Sequence, residues 1–87
     1  DHPEGIKGAS AVATAIFMAR NGRDKDYIKR YIELKYHYDF SKTLDEIRPH
    51  YNFDETCQGT VPVAFEVFFE ADSFEDTLKK AISMGAP

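Results

Sequence analysis

The chain has 87 residues, of which 43% are hydrophobic and 30% charged, and its formal net charge is −4. This length suits one domain, and a net negative charge with interspersed acids and bases argues against a nucleic-acid backbone as partner. No apolar run approaches the roughly 18 residues of a membrane span, and one cysteine, Cys57, forms no internal disulfide. We expect a single domain over residues 1–87, in the cytoplasm, without nucleic-acid or membrane contact. Because it starts at Asp1, we expect a piece of a longer protein.

The first predicted helix covers residues 3–21 and is rich in glycine and alanine. Pro3 suits its first turn, where the missing N–H costs nothing, and Gly22 is a typical helix end. Gly5 and Gly8 each lower the stability of a helix by roughly 1 kcal/mol relative to alanine. Two explanations for them stay open: a central helix tightly packed by its neighbours, or a ligand that approaches the start of the helix.

A second helix is predicted over residues 25–36, with Asp24 as its N-cap. Charged side chains, Lys25 and Lys29 among them, are assigned to its solvent side. Its apolar residues recur at helical spacing: Tyr27, Ile28, Tyr31 and Ile32. This pattern is typical of an amphipathic helix that lies on a core.

Residues 36–41 alternate aromatic and polar side chains, and we predict an extended connector whose aromatics are partly buried. Thr43 and Glu46 then have the spacing of a capping box, which starts a short helix over residues 43–48. Pro49 is expected to end this helix, because it biases the preceding residue out of helical geometry.

A strongly apolar helix is predicted over residues 61–71, with Thr60 as its cap and Pro62 in its first turn. Glu66 and Glu70, four residues apart, are assigned to its single polar edge. The β-branched and aromatic content would also suit a strand, but the length and the flanking caps favour a helix.

The last predicted helix covers residues 74–84 and begins after a capping serine, Ser73. Its expected buried stripe consists of Phe74, Leu78, Ala81 and Ile82. Together the elements predict an all-α fold, a compact orthogonal bundle of four to five helices.

Few residues in this sequence carry recognisable chemistry. It contains no Cys/His cluster with zinc spacing, no P-loop and no nucleophile turn. The acidic pairs at 45–46 and 54–55 are expected to be solvated, and Cys57 is expected to be packed and inert. The exception is the start of the first helix, with His2 and Glu4, because the N–H groups and positive dipole end there suit a phosphate.

Four segments resemble the ADP-ribosylglycohydrolase family in the same order along the chain. Residues 2–9 read His-Pro-Glu-Gly-Ile-Lys-Gly-Ala, similar to the family's His-Pro-Glu-x-x-x-Gly-Ala segment. Residues 43–49 and 57–64 are similar to the connector and next helix of bacterial members, and residues 73–85 to the helix that follows. The resemblance covers almost the whole chain.

This resemblance implies an all-helical fold and a hydrolase that cleaves the bond between ADP-ribose and a protein side chain. It implies that His2, Glu4 and Gly5 bind substrate at one rim of the cleft. Two Mg²⁺ ions serve the intact family, but their acidic ligand segments have no counterpart here. We therefore expect no catalytic residue, metal ligand or cofactor in this chain.

Two hypotheses remain: a fragment of such a hydrolase, with ADP-ribose or an ADP-ribosylated protein as partner, or a non-catalytic remnant or small helical interaction module. We also expect a homo-oligomer, paired through the first helix and residues 63–69, because these would otherwise expose contiguous apolar surface. In that arrangement Gly8 lets two backbones approach, so that Gly8→Leu would separate the copies.

Overall fold

A computed structural model describes residues 3–51 and 57–85 of the chain. These residues contain five α-helices and one 3₁₀ turn. In chain order they are α1 (Pro3–Arg20), α2 (Lys25–Tyr36), α3 (Leu44–Ile47), the 3₁₀ turn (Arg48–His50), α4 (Cys57–Glu70) and α5 (Phe74–Gly85). These residues include no strand and no helix long and apolar enough to cross a membrane. The predicted all-α bundle is therefore confirmed.

The helix ends follow capping signals in the sequence. The carboxylate of Asp24 accepts a hydrogen bond from the Tyr27 N–H at 2.8 Å, and Thr43 and Glu46 form both hydrogen bonds of a capping box. Gly22 follows α1 with a φ of +83°, a backbone conformation that glycine adopts without a steric penalty. Each signal acts within a few residues, which is why the sequence predicted these ends.

Pro3 begins α1 as the sequence predicted, but the expectations for Pro62 and for the residue before Pro49 need correction. Helix α4 begins at Cys57 and not after Thr60, so that Pro62 lies inside it, one turn beyond the expected position. Arg48, before Pro49, keeps helical dihedral angles, and the chain continues as a 3₁₀ turn. Proline fixes φ at a helical value, which suits the 3₁₀ turn at Pro49, whereas inside α4 the ring of Pro62 removes one backbone hydrogen bond that the packing of the helix must offset.

Helix α4 separates two clusters of buried apolar side chains. The larger cluster comes from α1, α2, the 36–41 connector and α4: Ala11, Ala15, Met18, Ile28, Ile32, Tyr38, Phe40 and Phe65. The smaller one comes from α3, α4 and α5: Leu44, Val63, Val67 and Met84. The burial of Tyr38 and Phe40 confirms that the connector lies on the core.

The predicted buried stripe of α5 is wrong in its described side chains. Leu78 and Ile82 are 48% and 62% exposed, and Ala81 is exposed too, whereas Met84 is buried. The side chain of Phe74 lies outside the described part. Helix α5 packs mainly against α4 and buries Met84 there, so the described part of the predicted stripe faces outward.

Candidate functional site

The predicted substrate-binding residues lie at the N-terminal end of α1. Glu4 and Gly5 occupy its first turn, while His2 lies outside the described residues. A carboxylate oxygen of Glu4 is 3.6 Å from the ammonium nitrogen of Lys7, one turn further on, and both side chains are partly exposed. Glu4 and Gly5 are neighbours in the sequence, so what the structure adds to them is the side chain of Lys7.

Lys7 is held between a carboxylate and an aromatic ring. Its ammonium nitrogen lies 4.3 Å from the ring centroid of the buried Tyr38, a distance at which a cation is attracted by the ring face. Sequence analysis missed Lys7, although its spacing of three from Glu4 is the signal of a paired side chain on a helix. The positive charge therefore stays close to the first turn of α1.

The two glycines of α1 have different surroundings. A Cβ atom on Gly8 would come within 3.0 Å of a methyl carbon of Val61 on α4, whereas a Cβ on Gly5 would meet no heavy atom within 4 Å. Tight packing therefore explains Gly8. At Gly5 the same explanation fails, and the structure leaves open space beside the first turn.

This end of α1 combines donors and an acceptor. The N–H groups of a first helical turn have no acceptor within the helix, and the helix dipole makes this end positive. The Lys7 ammonium adds positive charge, while Glu4 supplies a carboxylate beside it. Such a site has donors for anionic oxygens and an acceptor for hydroxyl groups.

A buried acid on α4 was not predicted. Glu66 is 3% exposed, and one of its carboxylate oxygens is 3.6 Å from the Lys29 ammonium. Burial, then a hydrogen bond with Glu70, raises the pKa of Glu66 to about 7, against the opposing effect of Lys29. Glu70 in turn accepts a hydrogen bond from the Leu44 N–H at 2.9 Å. The predicted polar edge is covered because α2 and the start of α3 lie over it.

Two of the three lysines of α2, Lys25 and Lys29, also differ from the prediction, since both turn toward α4. Lys25 donates a hydrogen bond to the carbonyl oxygen of Ala71, just past the end of α4, and lies 5.0 Å from the ring centroid of Phe68. A cation at a helix C-terminus is favourable, because carbonyl groups there carry negative partial charge. These contacts join α2 to α4.

A magnesium site does not fit the residues that the structure describes. Among them no three His, Cys, Asp or Glu side chains lie close enough together to hold a metal ion. Asp45 pairs with Arg48 at 2.7 Å, and Glu46 belongs to the capping box. The acidic pair at 54–55 and the side chain of Cys57 lie outside the described part.

Comparison of the chain with protein-family models, with curated proteins and with solved structures found no match. The family assignment therefore rests on the sequence motifs and enters below as a proposal.

Proposed function

We propose that this chain is part of a hydrolase of the ADP-ribosylglycohydrolase type, which removes ADP-ribose from protein side chains. The observation that carries the proposal is the colinear resemblance of residues 2–9, 43–49, 57–64 and 73–85 to that family. Each of these segments contains the start of a helix, at α1, α3, α4 and α5. The all-α fold of the described residues agrees with the fold class of the family.

The proposed contribution of this chain is one rim of the substrate cleft. Glu4 would accept a hydrogen bond from a ribose hydroxyl, and first-turn N–H groups of α1 would donate to a phosphate oxygen. Gly5 would let the ligand approach the backbone, since its surroundings are open. His2, outside the described residues, is proposed from the resemblance alone.

No step of the hydrolysis is assigned to the residues of this chain. The two Mg²⁺ ions of the family supply the chemistry in the intact enzymes, and the described residues offer them no ligand set. We therefore expect the purified 87-residue chain to release no ADP-ribose from modified arginine at any magnesium concentration. Release by pure protein that stops with EDTA would contradict this expectation.

A binding experiment tests the proposed rim directly. In a titration of the isotope-labelled chain with ADP-ribose, the amide signals of Glu4, Gly5 and Ile6 are expected to shift and to saturate. Glu4→Gln should weaken binding by about tenfold, the effect of losing one hydrogen bond to a charged group.

Glu75→Gln is the matched control for Glu4→Gln. Glu75 is also an acid in the first turn of a helix, α5, and also pairs with a lysine, Lys79, at 3.6 Å. It should leave binding unchanged. Signals that do not move at millimolar ADP-ribose, or that move equally in the first turn of α5, would refute the proposed rim.

A small helical interaction module is the second candidate, and one observation favours it. Large apolar side chains on the outer side of α1, including Ile16 and Phe17, are more than half exposed. Monomeric proteins seldom leave a contiguous surface of this kind uncovered.

A further inference from the structure

The outward side of α2 carries exposed aromatic and apolar side chains. Tyr27 and Tyr31 were predicted to lie on the core, but they are 49% and 39% exposed, and Leu34 is 68% exposed. Because these three residues are spaced by four and then three positions, they lie on one side of the helix. We call this side, together with the exposed bases beside it, the α2 face: Arg23, Tyr27, Arg30, Tyr31, Leu34 and Lys35.

Positive charge is concentrated around α2, although the net charge of the chain is −4. Residues 20–35 hold six of the 11 Lys and Arg residues but only three of the 15 Asp and Glu residues. One of these three acids, Glu33, turns away from the α2 face and accepts a hydrogen bond from the Phe40 N–H at 3.0 Å. The other two, Asp24 and Asp26, stand near the first turn of the helix, and Asp24 is its N-cap.

The three bases of the α2 face have no acidic partner in the described part of the chain. No carboxylate there forms an ion pair with Arg23, Arg30 or Lys35. The other lysines of the helix, Lys25 and Lys29, are taken up by contacts with α4 and its C-terminal end. The α2 face therefore carries a net positive charge whose bases are free to meet carboxylates from outside.

Two of these bases are held against aromatic rings of the same face. The guanidinium carbon of Arg23 lies 4.9 Å from the ring centroid of Tyr27, and the ammonium nitrogen of Lys35 lies 5.7 Å from that of Tyr31. At such distances a cation is attracted by the ring. Side chains that are already ordered lose less conformational entropy when a partner binds, so these contacts prepare the face for binding.

The chemistry of the α2 face fits an acidic protein segment that also carries apolar side chains. Its carboxylates would meet the three bases, and its apolar side chains would cover Leu34 and the tyrosine rings. Tyrosine and arginine are among the residue types that contribute most to binding energy in protein interfaces. A nucleic-acid strand fits less well, because its affinity comes from many phosphate contacts and two acids flank the few free bases here.

We propose that the α2 face binds an acidic, partly apolar segment of another protein. The inference uses no residue of α1 and does not depend on the hydrolase proposal. It gives the interaction-module candidate a partner of defined chemistry.

Fluorescence anisotropy tests the contact with a labelled synthetic peptide in which glutamate and aspartate flank leucine and phenylalanine. Binding is expected to saturate at one peptide per chain and to weaken with added salt, because salt screens the charges. Arg30→Glu should weaken binding at least about tenfold, since it replaces an attraction by a repulsion.

Lys79→Glu is the matched control for Arg30→Glu. It changes the net charge by the same amount at an exposed base on another helix, α5, and should leave binding unchanged. Leu34→Gln tests the apolar half of the contact and keeps all charges. It should weaken binding at least about threefold without changing the salt dependence, because it removes apolar area from the contact. Far-UV circular dichroism should show the same helix content in all three variants.

Four results would overturn the proposal. They are the absence of binding at millimolar peptide, equal weakening by Arg30→Glu and Lys79→Glu, binding that Leu34→Gln leaves unchanged, and tighter binding of a single-stranded oligonucleotide of the same charge as the peptide. None of them affects the ADP-ribose titration, which reports on the first turn of α1.

Discussion

Helices α1 and α2 contribute to the same core, but α1 buries mainly small residues and α2 buries large ones. The buried side of α1 consists of small residues and one methionine: Gly8, Ala11, Ala15 and Met18. The buried side of α2 consists of two large apolar residues, Ile28 and Ile32. Large apolar side chains of α1, such as Ile16 and Phe17, lie outside the core.

The two helices therefore pack against α4 in different ways. Small residues let the backbone of α1 come so close that a Cβ on Gly8 would press on Val61. Helix α2 instead buries isoleucines and adds the ion pair of Lys29 with Glu66. The difference shows that α2 buries its large apolar side chains in this core, while α1 leaves most of its own large apolar side chains exposed.

The largest expected effect compares two isoleucines. Ile32→Ala on α2 should lower the free energy of unfolding by about 2–5 kcal/mol, because the side chain is fully buried and leaves a cavity. Ile16→Ala on α1 should change it by less than about 0.5 kcal/mol in the monomer, since more than half of the side chain is exposed. Urea unfolding at low protein concentration measures both. Equal losses would contradict the burial of Ile32 and the exposure of Ile16.

The charged contact between α2 and α4 should make stability depend on pH. Folding raises the pKa of Glu66 from 4.5 to about 7, so the folded state binds more protons between these values. The contribution of Glu66 to the free energy of unfolding is therefore most favourable below pH 4.5. It falls as the pH rises to 7 and is constant at higher pH.

Glu66→Gln removes this titration. The free energy of unfolding of Glu66→Gln, minus that of the unchanged chain, should increase between pH 4.5 and 7. At alkaline pH the increase should amount to about 1–3 kcal/mol. Unfolding curves across the pH range measure this difference. Glu75→Gln on exposed α5 is the control and should show no such trend. A difference that stays flat with pH would show that Glu66 titrates normally.

The smallest expected effect compares the two glycines of α1. Gly5→Ala should stabilise the fold by about 0.5–1 kcal/mol, because alanine favours a helix and the new methyl group meets no neighbour. Gly8→Ala should bring no gain or a loss, since its methyl group would lie 3.0 Å from Val61. Thermal unfolding distinguishes the two variants, and an equal gain in both would mean that α1 does not pack closely on α4.

For the candidate site, the sequence supplied Glu4 and Gly5, and the structure places both in the first turn of α1. Lys7 had a signal in its spacing from Glu4, whereas its contact with the ring of Tyr38 had none, because those residues are distant in the chain. The role of this turn in binding ADP-ribose remains a proposal from the resemblance.

The sequence by itself determined the type and order of the helices and several of their ends. Asp24, Thr43 and Ser73 cap helices through hydrogen bonds that span three residues, so their signals are local. Only the tertiary structure decided which faces are covered. Glu66 is buried because α2 lies over it, and Ile82 is exposed although its helix is amphipathic. Burial depends on which helix packs on which, and this is set by the summed contacts of residues far apart in the chain.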